Sequence, residues 1–104
     1  MVNILGTMYK LVENEAIQDE GCDGLCHTYT KLIEIAPLNT MLSKEDSKEA
    51  KKIRYDEVKR HEIIHAFFAE CGCDDWCNDE RLVSFLAAQF PKLVAIFKDE
   101  ECLT

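Results

Sequence analysis

Alternation of apolar and polar residues predicts two extended segments in the first third of the chain. Residues 2–12 (VNILGTMYKLV) mix β-branched and aromatic side chains with polar ones, and Gly6 is expected to bend this strand. Residues 26–36 (CHTYTKLIEIA) alternate in the same way and end before Pro37. A polar stretch containing two glycines separates the two segments and is predicted to be a loop. We expect the two strands to pair in a small antiparallel sheet.

Helical spacing of apolar residues replaces this alternation after residue 43. Ser43 or Ser47 is expected to cap a long helix, which ends near Gly72 because glycine commonly follows the last helical residue. A second helix is predicted for residues 81–97, and Pro91 should kink or divide it, since proline lacks the N–H donor. The pattern predicts a single α+β domain over residues 1–104, with a small N-terminal antiparallel β-sheet, a long helix and a second packed helix.

Composition and charge narrow the class of protein. The chain has 104 residues, of which 47% are hydrophobic, and a formal net charge of −8, which disfavours a nucleic-acid-binding surface. No segment reaches the ~18 apolar residues that a membrane span requires. The N-terminus lacks the basic start and the apolar run of a signal peptide. We therefore expect a cytoplasmic protein with no nucleic-acid or membrane partner, whose six cysteines are reduced thiols.

One short motif has specific chemistry, the sequence HEIIH at residues 61–65. On a helix, His61 and His65 project from one face, one turn apart, so that both imidazoles can bind one zinc ion. Glu62 lies one position further round the helix, where it can accept a proton from a zinc-bound water as a general base. The motif predicts a zinc-dependent hydrolase with Glu62 as the catalytic residue.

A third protein ligand is expected, because catalytic zinc is usually held by three side chains. Glu80, near the start of the second helix, is the best candidate, and its neighbour Asp79 is the alternative. Asn78 or Asp75 is then expected to cap that helix and leave Glu80 free to face inward. Cys77 is a further alternative, whose thiolate would close the site and make it structural.

A plainer interpretation of the same residues stays open. Two histidines one turn apart can occur by chance on a solvent-facing helix, and Glu80 can simply favour the positive end of the helix dipole. The chain would then be a non-catalytic metal-binding or protein-interaction module. The cysteine spacings form no paired CxxC knuckles, so they are more typical of small, partly buried apolar residues.

Residues 59–97 resemble the small HExxH proteins of phages and mobile elements that are related to ImmA/IrrE-type zinc metallo-endopeptidases. The resemblance is carried by three runs of residues, RHEIIHAFF at 60–68, NDERLV at 78–83 and QFPK at 89–92. It implies a minimal zincin-like fold, in which a small sheet precedes the motif helix and a following helix supplies an acidic ligand.

The same resemblance implies a set of roles. His61, His65 and Glu80 would be the zinc ligands and Glu62 the base. The implied activity is hydrolysis of a peptide bond in a cytosolic protein or peptide, such as a regulator. The resemblance therefore adds a substrate class to the chemistry that the motif predicts.

Overall fold

Two hairpins build the sheet. In the computed structural model, which describes residues 1–104, strands β1 (Val2–Ile4) and β2 (Thr7–Glu13) are antiparallel and meet in a turn at Leu5 and Gly6. The φ angles of these two residues are 52° and 93°, and two consecutive positive values are typical of the tight turns that match strand twist. The bend predicted at Gly6 is therefore a complete reversal, and the predicted first strand is two strands.

The second hairpin consists of strands β3 (Gly24–His27) and β4 (Leu32–Ile35), which are also antiparallel. The strand order is β1-β2-β4-β3, and β2 pairs with β4 in parallel. The sheet is therefore mixed, and the prediction of a wholly antiparallel sheet is corrected at this central pair. The reason is topological. Residues 14–23 connect β2 to β3, which does not pair with β2 and is the edge strand of the sheet. The chain then reverses, and β4 lies between β2 and β3 and pairs with both.

Helix α1 (Lys48–Glu70) begins and ends where the sequence predicts. The hydroxyl of Ser47 caps it by accepting a hydrogen bond from the Ala50 amide at 3.1 Å. Gly72, with a φ of 77°, follows its C-terminal end. The predicted turn after it contains a short helix, α2 (Asp74–Cys77). The α+β class, with a sheet followed by packed helices, is confirmed.

Helix α3 (Glu80–Asp99) continues through Pro91 without being divided. Proline at position 91 removes the amide that would bond the carbonyl oxygen of Ala87, four residues earlier. That oxygen instead accepts a hydrogen bond from Nε of Arg60 on α1 at 2.7 Å. The orphaned acceptor is thus satisfied by the neighbouring helix, which joins α1 to α3.

The core lies between the sheet and α1. Its fully buried large side chains include Tyr9, Ile33, Ile35 and Met41, which pack with Val58 and Ala66 of α1. In α3, only Val83 and Ala87 are buried. None of the helices is both long and apolar enough to cross a membrane.

A polar network ties the last turn of α1 to the sheet. The hydroxyl of Tyr9 and the ammonium of Lys31 both donate to one oxygen of Glu70, at 2.7 and 2.8 Å. The bonds from Lys31 and Tyr9 lower the pKa of Glu70 to about 2. Burial of Tyr9, and then its bond to Glu70, raises the pKa of the phenol above its usual value.

We expect Glu70 to contribute to the acid stability of the fold. A carboxyl whose folded-state pKa is depressed stabilises the protein above its unfolded pKa, near 4.3, and loses that contribution as the pH falls towards 2. In Glu70→Gln, the free energy of unfolding should be lower at neutral pH and should fall less steeply between about pH 5 and pH 2. Urea denaturation at a series of pH values across this range measures the free energy of unfolding.

The matched control is Glu20→Gln, which changes an exposed carboxyl without these partners. Its unfolding curves should parallel those of the wild type at every pH. Equal acid slopes in Glu70→Gln and the wild type would show that the network does not stabilise the fold through this charge.

Candidate metal centre

Helix α1 presents His61 and His65 on one face, and α3 brings Glu80 to meet them. The Nε2 atoms of the two histidines are 3.2 Å apart. One oxygen of Glu80 lies 3.1 Å from Nε2 of His61, and the other lies 2.9 Å from Nε2 of His65. The three ligand atoms all lie within 4.8 Å of one another, so this group could hold a metal ion.

The start of α3 determines where Glu80 points. Asp79 is the N-cap, because its carboxylate accepts a hydrogen bond from the Leu82 amide at 3.1 Å. The expectation that Asn78 or Asp75 caps this helix is therefore wrong. Asp79, the alternative third ligand, is occupied by the cap, and Glu80 is the first helical residue. Its side chain is 69% exposed, so the open side of the metal centre faces solvent.

A backbone carbonyl of α2 contacts the ring of His65 at Nδ1, the nitrogen that does not face the other ligand atoms. Its Nδ1 lies 2.6 Å from the carbonyl oxygen of Cys77, and because a carbonyl can only accept, Nδ1 carries the proton in this contact. The Nε2 lone pair of a neutral ring then points at the other two ligand atoms. A carbonyl that bonds the other ring nitrogen in this way commonly orients the histidine ligands of metal sites.

The thiol of Cys77 has a different role from the one that sequence reasoning considered. It donates to the carbonyl oxygen of His65 at 3.2 Å, and its sulfur lies 4.0 Å from Nδ1 of the ring, on the side away from Nε2. Burial and the charges of Asp74 and Glu80 raise the pKa of Cys77, which favours the neutral thiol. Cys77 thus supports His65 and is not part of the ligand group.

The chemistry of the donors fits a divalent metal such as zinc. Burial, followed by the neighbouring charge of His65, lowers the pKa of His61 and favours the neutral imidazole that metals bind. Two such nitrogens and a carboxylate then direct lone pairs at a shared point, which a cation can occupy. Two histidines and one glutamate are a common set of ligands for catalytic zinc.

Glu62 lies beside this centre but is not one of its ligands. The residue is only 6% exposed, and it lines the same cleft as the two histidines. Burial first, and then the charge of Glu80, raises the pKa of Glu62 to about 7. A cation held by the ligand group would favour the carboxylate form and lower this pKa.

Strand β3 lies unusually close to Glu62. A methyl group placed on Gly24 would lie 2.7 Å from Cγ1 of Val58 and 2.9 Å from both Cγ and Oε2 of Glu62. Only glycine therefore allows the strand to pack here. Sequence reasoning assigned Gly24 to the end of a loop, although a glycine bordering a strand can mark such a close approach.

A cleft of about 490 Å³ opens over the metal centre. One wall is the edge strand β3, through Gly24, Leu25 and Cys26, and the other wall carries the ligand group and Glu62. A smaller hollow of about 240 Å³ continues past Glu62 towards Arg54. The two hollows share residues on both walls, so together they form a groove along β3 that passes the centre.

No known protein family, curated protein or solved structure matches this chain. The candidate metal site rests on the position of the donor atoms of His61, His65 and Glu80 and on the distances between them.

We expect the purified chain to bind one divalent metal ion. Calorimetric titration of the metal-free protein with Zn²⁺ should give about one site per chain, and His61→Ala should weaken binding by about a hundredfold or more. Glu80→Ala should weaken it less, because the two histidines remain. His27→Ala is the control, since this third histidine is paired with Glu34 at 2.7 Å, outside the ligand group. Equal affinities in His61→Ala and His27→Ala would exclude the site.

We also expect Gly24→Ala to destabilise the protein. The added methyl group would overlap Val58 and Glu62, and overpacking of this kind typically costs about 1–3 kcal/mol. Urea denaturation measures the change. In a double-mutant cycle, Val58→Ala should relieve the overlap, so the double variant should lose less stability than the sum of the two single variants. Strict additivity would show that the close approach is not the cause.

Proposed function

We propose that this chain is a zinc-dependent metallopeptidase-like protein that hydrolyses a peptide bond in another protein. The proposal assigns His61, His65 and Glu80 as zinc ligands and Glu62 as the general base. One observation carries it. Glu62, which is only 6% exposed, lines the same cleft as a three-residue group that could hold a metal ion. The proposal also includes a relationship to ImmA/IrrE-type proteins, and with it an origin in phages or mobile elements, which is based on the three runs of residues within 59–97.

When bound, a zinc ion supplies Lewis-acid chemistry, which polarises a carbonyl group and acidifies water. The side chains of the protein supply the metal ligands and the general base. His65, oriented by the Cys77 carbonyl, and His61 offer neutral nitrogens, and Glu80 adds the negative charge. The mixed nitrogen and oxygen donors suit zinc, although related divalent metals accept the same set.

Glu62 moves the proton in this proposal. A water molecule that attacks the peptide carbonyl carbon must lose a proton, and the Glu62 carboxylate can accept it in the cleft. When the C–N bond breaks, the leaving nitrogen must gain a proton, and protonated Glu62 can donate it. A cation held by the ligand group favours the carboxylate of Glu62, which is the form that accepts this proton, because it lowers the pKa of Glu62 from the value of about 7 that burial gives it.

The edge strand favours an extended peptide as the substrate. Strand β3 pairs with β4 on one side only, so the backbone groups along its other edge have no strand partner. Such an edge can bind an extended segment as an additional strand. Because β3 forms one wall of the groove, a peptide bound along it would pass Glu62 and the ligand group. The proposed setting is the cytoplasm, with a regulator protein as one such substrate.

Glu62→Gln should separate metal binding from catalysis. The zinc-loaded wild type and variant would be incubated with a peptide library derived from a bacterial proteome, and new termini identified by mass spectrometry. The variant should bind Zn²⁺ as the wild type does but cleave about 10²- to 10⁴-fold more slowly, because it lacks the base. A chelator should abolish cleavage by the wild type, and added Zn²⁺ should restore it.

Glu49→Gln is the matched control, because Glu49 lies in the first turn of α1 and does not line the cleft. It should cleave at the wild-type rate. Stoichiometric zinc binding without any cleavage across the library would contradict the enzyme proposal and leave a non-catalytic metal-binding or protein-interaction module.

A further inference from the structure

Charged side chains line the smaller hollow of the groove, the one that continues from the metal centre past Glu62. They are Asp23, directly before β3, and Arg54 and Glu57 of α1. Arg54 donates to one oxygen of Asp23 through Nε at 3.2 Å and through Nη2 at 3.0 Å, and to Glu57 through Nη1 at 3.1 Å. Each of the guanidinium nitrogens therefore already bonds a carboxylate.

This pairing leaves an excess of negative charge in the hollow. Arg54 supplies one positive charge, whereas Asp23 and Glu57 both supply a negative one, and Glu62 adds another when it is ionised. The side chains of Asp23 and Glu57 are 29% and 36% exposed, so an incoming group can still reach them. An anionic group would meet no free cation in this hollow, and a cationic group would balance the excess charge.

The groove has the same bias on the other side of the metal centre. A further hollow, of about 350 Å³, continues the cleft and shares Thr28, Cys77 and Asn78 with it. The cation of this hollow is Lys31, whose ammonium lies 2.8 Å from a carboxylate oxygen of Glu70. Both cations that line the groove are thus paired with carboxylates that also line it, so an extended segment bound there would meet negative charge on either side of the centre.

The hollow beside Glu62 also has an apolar wall. Val58 of α1 and Ala87 of α3 line it, together with Gly24 of β3, which has no side chain. Lysine and arginine combine an apolar stem with a cationic end, and they lay the stem along apolar surface while the charge reaches polar groups. The volume of about 240 Å³ is below the ~300 Å³ at which pockets for whole small-molecule ligands begin, so the hollow suits one side chain.

We propose that this hollow, which we call the cation subsite, binds a lysine or arginine side chain of the substrate, and that Glu57 and Asp23 determine this preference. The inference rests on the proposed function, because it places an extended peptide along β3. The stem of the basic side chain then lies against Val58, and its cationic end pairs with Glu57. The substrate class is a basic segment, with a lysine or arginine close to the bond that is cleaved.

The charge of the whole chain acts in the same direction. A net charge of −8 attracts a basic segment and repels an acidic one before contact. That attraction does not depend on where the charges lie, whereas pairing in the cation subsite requires a carboxylate at position 57 or 23. The decisive comparison is therefore between equal changes of charge inside and outside the groove.

Selection from a peptide library tests the proposal through binding, not cleavage. Zinc-loaded Glu62→Gln, which lacks the proposed base and so leaves bound peptides intact, is immobilised and exposed to short peptides of random sequence. Mass spectrometry identifies the retained peptides, which should align on a position enriched in lysine and arginine. For one enriched peptide, fluorescence anisotropy gives the Kd. Replacing its basic residue by norleucine, which keeps an apolar stem and lacks the charge, should raise the Kd roughly tenfold.

Variants at position 57 and a matched control separate the subsite from the overall charge. In the Glu62→Gln background, Glu57→Gln keeps an oxygen that can accept from Arg54 and should lose most of the preference for lysine over norleucine. Glu57→Lys should reverse the preference and favour glutamate. Glu49→Lys makes the same change of charge at an exposed position of the same helix, outside all three hollows, and should keep the preference. Circular dichroism verifies that each variant is folded.

The outcomes distinguish this proposal from the enzyme proposal. A preference for basic peptides that Glu57→Lys abolishes, without any cleavage by the wild type, would support the cation subsite and contradict the enzyme. Cleavage of basic, neutral and acidic peptides alike would support the enzyme and overturn the subsite. Retention of no peptide, equal affinity for the lysine and norleucine peptides, or equal losses in Glu57→Lys and Glu49→Lys would also overturn the subsite.

Discussion

The close approach of strand β3 to helix α1 at Gly24 is the constraint on which the site depends. It brings the edge of the sheet to within contact distance of Glu62 and Val58. Glu62 is buried beside this contact, and its burial raises its pKa to about 7. It also makes β3 one wall of the groove that passes the ligand group. The packing of the sheet and the surroundings of Glu62 therefore meet at Gly24, a residue without a side chain.

Local signals in the sequence predicted the helices well. The cap at Ser47, the stop at Gly72 and the one-turn spacing of His61 and His65 all concern residues close together in the chain. Glu80 could be anticipated as the third ligand because it begins the next helix, and the segment that connects the two helices is too short to place it far from His61 and His65. These features depend on rules with a range of three or four residues, which a single sequence displays directly.

Long-range features were predicted less well. Alternation identified extended segments but could not show that β4 would insert between β2 and β3, because strand order is not encoded in the period of a strand. The carbonyl of Cys77 orients His65, and a backbone group leaves no residue-specific signal in the sequence. The cap at Asp79 was missed because three neighbouring residues, Asp75, Asn78 and Asp79, are all good caps, and only the final turn geometry selects one.

The proline in α3 also has a mechanical consequence. A helix resists bending because each turn is cross-linked to the next by backbone hydrogen bonds, and one of those links is absent between Pro91 and Ala87. Arg60 holds the carbonyl on the near side of that gap, so the first half of α3 is fixed to α1. The second half, which carries Leu93 and Ile96, is joined through the more compliant section. The helix thus combines a first half that is fixed to α1 and presents Glu80 with a second half that is attached to it by one backbone cross-link fewer.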